Sequence, residues 1–444
     1  MIKCHAFLAL VFIGILASQL LPAQQLPSAP RVHLTDITPK PGFFNEPAIA
    51  VNPQSPEKLV VAWQINASAA YTLNGGQSWT IAEGTAPKDY RVSGDVSLAY
   101  DARGQAFLCY IAFDKLGATN YWAQGATRNG IFVRRSPDGG KTWDTQPSIV
   151  IAHDSTPDIP FEDKPWIVTD TSGPHPGNIY IGWTEFTLSA TELLFSRSTD
   201  AGTSWSKPIK LNSLPGLPRD DNGALEGFHG VVAPDGTLYT IWDDRDGIMM
   251  AISHDGGASF SKDRRIINAG PGYFGITGVA RSNGFPEIGL DPKSGNLYVA
   301  WSDYTNGDVD VFVASSFDSG VTWSKPVRVN NDGIHNGADQ FFQWMVVDPK
   351  SGAVNLLFYD RRADNHHTAV TLARSTDGGK TFSNYAFDTD TFVAEGDFLG
   401  DYLAITAYGN RVWGAWAHQT IEATQKIGTQ KTRTVLRVGM ADFN

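Results

Sequence analysis

Short apolar runs recur along the chain in a fixed order, separated by polar turns. One kind reads Pro47-Ala-Ile-Ala-Val-Asn52, Pro165-Trp-Ile-Val-Thr-Asp170, Pro286-Glu-Ile-Gly-Leu-Asp291 and Trp344-Met-Val-Val-Asp348. A Pro/Gly turn follows, such as Pro292-Lys-Ser-Gly295 or Pro349-Lys-Ser-Gly352. The next run ends in an aromatic residue and a polar one: Val61-Ala-Trp-Gln64, Ile181-Gly-Trp-Thr-Glu185, Ile241-Trp-Asp243, Val299-Ala-Trp-Ser-Asp303 and Leu357-Phe-Tyr-Asp360. Runs this short, nearly continuous in apolar residues and bounded by turn formers, predict strands buried on both faces. A third strand then leads into a repeated turn. A fourth follows it, as in Lys207-Pro-Ile-Lys-Leu211 and Lys325-Pro-Val-Arg-Val329.

The repeated turn occurs six times: Thr72-Leu-Asn-Gly-Gly-Gln-Ser-Trp79, Ser136-Pro-Asp-Gly-Gly-Lys-Thr-Trp143, Ser198-Thr-Asp-Ala-Gly-Thr-Ser-Trp205, Ser253-His-Asp-Gly-Gly-Ala-Ser-Phe260, Ser316-Phe-Asp-Ser-Gly-Val-Thr-Trp323 and Ser375-Thr-Asp-Gly-Gly-Lys-Thr-Phe382. Its third position falls at Asn74, Asp138, Asp200, Asp255, Asp318 and Asp377, with intervals of 55 to 64 residues. A carboxylate there can accept N–H groups of its own turn, and Gly at the fifth position permits φ > 0. The closing Trp or Phe packs between strands. A strand-dense repeat of this length predicts a propeller blade. After the sixth turn come three more strands, Tyr402-Leu-Ala-Ile-Thr406, Arg411-Val-Trp-Gly-Ala-Trp416 and Thr434-Val-Leu-Arg-Val438. Their missing fourth partner is Pro30-Arg-Val-His-Leu-Thr35, which matches the Lys-Pro-Val-Arg-Val pattern and would remove two free edges. The expected fold is therefore an all-β propeller of seven four-stranded blades, its last blade closed by an N-terminal strand, with six blades as the alternative.

Residues 1–23 carry Lys3, an apolar stretch from Ala6 to Leu16, and Leu21-Pro-Ala23 as a cleavage site. This pattern predicts a secretory signal peptide, hence a secreted or periplasmic protein, followed by one domain over residues 24–444. The leader's apolar stretch is short for a bilayer, and no later segment is expected to span one. Past the leader one cysteine remains, Cys109 within Ala106-Phe-Leu-Cys-Tyr-Ile-Ala-Phe113, so a buried strand thiol without an intramolecular disulfide is expected. The formal charge of −11 becomes −12 without Lys3, which argues against nucleic acid or an anionic membrane surface as partner. A monomer is the simplest assembly. No zinc, calcium or phosphate-loop motif is present, and no cofactor is expected. His366-His367 lack a third ligand at metal spacing.

In propellers the ligand face is formed by loops entering strand one and leaving strand two, opposite the repeated turns. Glu46, Asp95, Glu162-Asp163-Lys164, Glu226 with His229, Glu287, Asp339-Gln340 with Gln343, and Asp397 with Asp401 stand before or within strand one. Gln64, Asp114, Glu185, Asp243-Asp244-Arg245, Asp303-Tyr304, Asp360-Arg361-Arg362 and His418-Gln419 stand at the end of strand two. Carboxylates converging on one concavity suit acid and base work on a glycosidic bond, and arginines could clamp a sugar carboxylate. We take Glu46, Asp163, Glu287, Asp360, Asp397 and Tyr402 as candidate catalytic groups. Arg245, Arg361, Arg362, His229 and Gln343 are the candidate substrate contacts. Each carboxylate has a structural alternative, capping turn N–H groups or pairing with a neighbouring blade's arginine.

The six turns resemble the Asp box, or BNR repeat, of sialidase-type propellers, and the resemblance extends over the mature chain. It implies an extracellular glycoside hydrolase acting on a terminal sugar of a glycan or glycoconjugate, in the manner of an exo-alpha-sialidase. Sialidases bind the substrate carboxylate with three arginines and use a Tyr–Glu nucleophile pair with an Asp acid/base. Here Arg245, Arg281, Arg361 and Arg362 are the available arginines, and Tyr304, Tyr359 and Tyr402 the available tyrosines. The Arg-Ile-Pro motif of the sialidase first blade is replaced by Asn45-Glu-Pro47. Two alternatives stand beside this reading: a non-catalytic propeller that binds glycan or protein, and a polysaccharide lyase using His229 with Arg245 or Tyr402.

Overall fold

A computed structural model describes residues 26–38, 40–85, 87–90, 92–114, 128–154, 160–245, 247–394, 398–422 and 431–444. The signal-peptide expectation lies outside these residues. Seven four-stranded antiparallel sheets are arranged as the blades of a propeller, and there is no helix among the described residues. Blades 1 to 6 have their innermost strands at Ala48–Val51, Val92–Tyr100, Phe161–Thr169, Glu226–Val232, Glu287–Leu290 and Gln340–Val347. In blade 7 that place belongs to Ala404–Tyr408. Each innermost strand touches that of the next blade, and the last touches the first, so the ring is closed.

Closure comes from the chain's start. His33–Asp36 forms the outer strand of blade 7, paired antiparallel to Lys431–Asp442 with His33 opposite Met440 and Asp36 opposite Arg437. Arg437 Nε donates to Asp36 Oδ1 at 2.7 Å. Seven blades, rather than the six held as the alternative, follow from this pairing.

The near-continuous apolar strands have a direct explanation. Buried apolar side chains of the described residues fall into seven clusters, one at each junction between neighbouring blades. Within Leu59–Trp63, Leu59, Val61 and Trp63 face blade 7 while Val60 and Ala62 face blade 2. A strand with apolar neighbours on both sides cannot alternate with polar residues. Cys109 is wholly buried and free between blades 2 and 3.

The six repeated turns share one hydrogen-bond plan. In the turn at Asp255, Gly257 N donates to Ser253 Oγ at 2.8 Å and Ser259 N to Asp255 Oδ1 at 2.9 Å, while Ser259 Oγ reaches Asp255 Oδ2 at 2.6 Å. The fifth-position glycine of each turn has positive φ and lies against the preceding blade: Gly76 on Trp413, Gly140 on Val60, Gly202 on Phe107, Gly257 on Phe195, Gly320 on Met250, and Gly379 on Tyr298 and Ser315. The turns are therefore latches between blades as well as links between strands.

This latch can be tested at Gly140, where φ is +94° and an added Cβ would stand 2.2 Å from Val60 Cγ2. Gly140→Ala is expected to cost about 2–3 kcal/mol, the sum of a left-handed backbone and an overpacked contact. Gly84 has φ +78° with open space around it, so Gly84→Ala should cost only about 1 kcal/mol. Urea denaturation of both variants gives the comparison, and equal losses would refute the interblade contact as the larger effect.

Candidate active site

One cavity of about 430 Å³ opens on the face opposite the repeated turns, off the propeller axis. Its walls come from blades 7, 1, 2, 3 and 4 and from the connection between blades 4 and 5. Over blades 5 and 6 that connection, residues 268–286, covers the face. Ile276 packs into the core cluster with Phe341, Phe392 and Ala394, and Thr277 O accepts Arg361 Nη1 at 2.7 Å.

The innermost strands aim side chains into the cavity by bulging. Pairing with strand two shifts register between Gly94 and Ser97, Asp163 and Trp166, and Glu226 and His229. A residue with left-handed φ marks each irregularity or its counterpart: Glu46 at 48°, Asp95 at 45°, Lys164 at 47° and Gly227 at 68°. A bulge re-aims one side chain at the cost of local strain, a device that gathers at functional sites. Here it turns Glu46, Asp95, Asp163 and Lys164 towards one space.

The acidic groups are more crowded than water would tolerate in so small a volume. Glu46, Asp95, Asp163, Asp220, Glu226 and Asp401 line the cavity, with Lys164, Arg281 and Arg433 as cations. Burial first, then Asp95, holds the Asp163 carboxyl well above the usual carboxylate range. Asp95 Oδ2 and Asp163 Oδ1 converge on Lys164 N at 3.1 and 3.0 Å. Glu46, buried and beside Asp95 and Asp401, is raised in the same way, as is Glu226 through burial and Asp220. Two carboxyl groups forced together tend to share a proton, so burial and like-charged neighbours bias these acids towards the neutral form.

Opposite them stands a two-stranded hairpin, Tyr273–Phe274 with Ser282–Asn283. It is docked by Asn222, which exchanges hydrogen bonds with the backbone of Tyr273 at 2.8 and 3.0 Å. The Tyr273 hydroxyl lies 2.6 Å from Asp220 Oδ1 and also contacts Glu226 Oε2. Arg281, on the same hairpin, binds Asp401 through Nε at 2.8 Å and through Nη2, and Asp220 through Nη1. Burial opposes its charge, but Asp401 and Asp220 more than offset this and keep the guanidinium ionised. Burial and both carboxylates hold the Tyr273 phenol well above its ordinary value.

Beneath the cavity the axis is plugged. Lys164 Nζ sits 4.2 Å from the Tyr402 ring centroid and 4.5 Å from that of Phe285. Tyr402 donates to Val96 O at 3.3 Å and packs on Trp166 and Trp344. His229 lies between the same two tryptophans, and burial with Lys164 pushes it down to about 3. Glu287 accepts from Gln343 Nε2 at 3.2 Å in this buried layer, and burial raises its carboxyl.

Of the candidates from sequence, Glu46 and Asp163 reach the cavity, whereas Glu287, Tyr402, His229 and Gln343 belong to the plug below it. Asp360 and Arg362 pair at 2.6 Å, with Thr371 on Asp360 and Asn331 and Asn384 on Arg362. With Arg361, they tie blade 6 together under the covering connection, away from the cavity. Arg245 is exposed outside it. Asp397 lies outside the described residues. Tyr273 and Asp220 escaped the sequence reading because they stand outside the strand pattern; the signal was the Gly/Pro-rich connection Gly270-Pro-Gly-Tyr273, long enough for an extra hairpin. Elsewhere, His153, Glu162 and Glu185 bring ligand-type atoms within 4.8 Å of one another. His153 and Trp183 hold Glu162 at 2.5 Å each, and burial with Glu162 raises Glu185 to about 7.

No family model matches the chain. A sialidase of Bacteroides fragilis is 24% identical over 227 residues, 43% of this chain and 41% of that protein. The chain resembles the sialidase-type propellers. It spans about two fifths of that relative's length in the matched region. Among solved structures, the Hadza microbial sialidase Hz136 has 16% identity and a TM-score of 0.47, over 87% of this chain and 73% of its own. A polysaccharide lyase of the ulvan lyase type has 12% identity and a TM-score of 0.49, over 89% and 93%. Likenesses at this level speak to the fold alone, so the chemistry must be argued from the cavity.

The raised Asp163 carboxyl makes a prediction about stability. Its folded pKa exceeds its unfolded value, so its contribution is fully present below about pH 4 and is lost as pH rises through the folded pKa. Asp163→Asn should therefore gain about 1–3 kcal/mol at pH 8 and almost nothing at pH 4. Urea denaturation at the two pH values checks it, and a gain independent of pH would count against a buried, proton-sharing carboxyl.

Proposed function

We propose that the protein is an exo-acting glycoside hydrolase in which Tyr273 is the nucleophile and Asp163 the general acid. One observation carries the reading: a phenol hydroxyl held between the carboxyl groups of buried Glu226 and half-buried Asp220 on the wall of the cavity. A tyrosine at its ordinary pKa is a weak nucleophile and needs an adjacent base, which this arrangement supplies. Asp163 faces the same space, and burial with Asp95 beside it raises its carboxyl, favouring the protonated form that donation to a leaving glycosidic oxygen requires. Phe43 and Phe398 line the same cavity and offer apolar faces to a sugar ring.

The substrate class is a terminal sugar on a glycan. The sialidase likeness supports a sialoside, yet Arg281, the guanidinium on the hairpin, is already bound by Asp401 and Asp220. We therefore assign the hydrolytic chemistry and leave the sugar to a panel of sialosides, arabinofuranosides, neutral hexosides and uronate-bearing glycans. The leader-like pattern of residues 1–23 supports an exported location for this activity.

Incubation of the purified protein with the panel, followed by mass spectrometry, is expected to show a released sugar with water added. Tyr273→Phe should lose at least about 10³-fold in kcat. Asp163→Asn should lose about 10²–10⁴-fold on natural leaving groups and far less on activated aryl glycosides, which need no acid. An unsaturated product would establish a lyase instead. Full activity in Tyr273→Phe would end the nucleophile assignment.

A further inference from the structure

The phenol oxygen of Tyr273 takes part in two close contacts with carboxylate oxygens, Oδ1 of Asp220 at 2.6 Å and Oε2 of Glu226. Each hydrogen bond needs a proton between its two oxygens, and a phenol owns one. The second proton must therefore sit on a carboxyl group. If both acids were ionised, one contact would be bare repulsion between an anion and a phenol lone pair, in a buried site beside Asp163 and Asp401.

The surroundings decide which acid is neutral. Asp220 offers its other oxygen, Oδ2, to Nη1 of Arg281, and an ion pair of this kind requires a carboxylate. Glu226 is buried, and among the described residues its side chain has Tyr273 as hydrogen-bond partner and no ion pair. The charged groups that face it, Asp220 and Asp401 as anions and Arg281 as the cation, leave an excess of negative charge around it, and the Asp163 carboxyl on the same wall adds no compensating cation. A chain of donors results: Glu226 to Tyr273, Tyr273 to Asp220, and Arg281 to Asp220 and Asp401.

We propose that Asp220 is the base that deprotonates Tyr273, and that Glu226 stays protonated and donates its hydrogen bond to the phenol oxygen. This rests on the reading of Tyr273 as nucleophile. In the first half-reaction the bond from Tyr273 Oη to the anomeric carbon forms and the glycosidic C–O bond breaks. The phenol proton moves to Asp220 Oδ1, and the proton of Asp163 goes to the leaving oxygen. In the second half-reaction water attacks the anomeric carbon and its proton returns to Asp163. The bond to Tyr273 Oη breaks, and the phenol recovers its proton from Asp220. Throughout, Glu226 steadies the charge on Oη, most when the aryloxide departs. Arg281 is a positioning residue, holding Asp220 ionised and aimed.

Two variants separate this from the simpler pairing of Tyr273 with a Glu226 base. Glu226→Gln retains an N–H donor for Oη, and its kcat should fall only about ten- to thirtyfold. Asp220→Asn cannot take the proton, so kcat should fall at least about 10³-fold with little change in KM. Infrared difference spectra at pH 7 read the protons without catalysis. Glu226→Gln should remove a carboxylic-acid C=O stretch, and Asp220→Asn should remove carboxylate stretches. The reverse order of kinetic losses, or a carboxylate lost on Glu226→Gln, would overturn the assignment while leaving Tyr273 as nucleophile. The expected spectra from a wild-type protein that cleaves no glycoside in the panel would instead overturn the hydrolase reading, and with it the catalytic role of Asp220.

Discussion

The ring closes through a four-residue strand, His33–Asp36, and the cavity is built against that seam. Immediately after this strand the chain crosses the face, with Gly42 and Thr434 exchanging backbone hydrogen bonds at 2.9 and 2.8 Å. Phe44 N reaches Thr434 Oγ1 at 2.7 Å. Asn45 and Glu46 follow at once, while Thr434, Arg433 and Asp401 arrive from blade 7. The first and last segments of the domain thus form adjoining walls of one site. Opening the seam would expose sheet edges and also part Glu46 from Asp401.

Buried acid is what this frame has to hold. Glu46, Asp163 and Glu226 each sit where burial and like-charged neighbours keep them protonated, and each gives up stability at neutral pH as a result. A purely structural ring could replace them with apolar side chains of similar size, at a gain. The seven interblade clusters and six latching turns supply the surplus that makes such a site tolerable. Lys164 shows the same exchange: its stem crosses the strained bulge and its ammonium rests on the rings of Tyr402 and Phe285 above the apolar plug.

The fold was readable because it repeats. The Pro-started inner strands, the aromatic-polar endings and the six turns each recur at one period, and even the strand that closes the ring carries the fourth-strand pattern in Arg31-Val-His-Leu34. The site was readable only where it coincides with that repeat. Glu46 and Asp163 stand at the approach to strand one, where strand order alone points them at the face. The same rule pointed to Asp360, Arg361 and Arg362, yet these are spent on blade 6, because the connection over residues 268–286 covers the face above them. Nothing in the repeat announces that cover.

Chemistry therefore concentrates where the repeat is broken. Blades 4 and 6 make the same inner-strand bulge as blades 2 and 3 but put Gly227 and Phe342 at the left-handed position, where blade 2 has Asp95 and blade 3 Lys164. The backbone device is shared, and the side chain placed on it differs from blade to blade. Tyr273, Arg281 and Asp220 go further and lie on segments that have no counterpart in the other blades. The hairpin is held by polar contacts with Asn222 and Asp401 and by Ile276, which enters the core between blades 6 and 7, whereas the four-stranded sheets themselves do not depend on it for their pairing. In this chain the ring sets where a ligand would sit, and the interruptions supply the groups that face it.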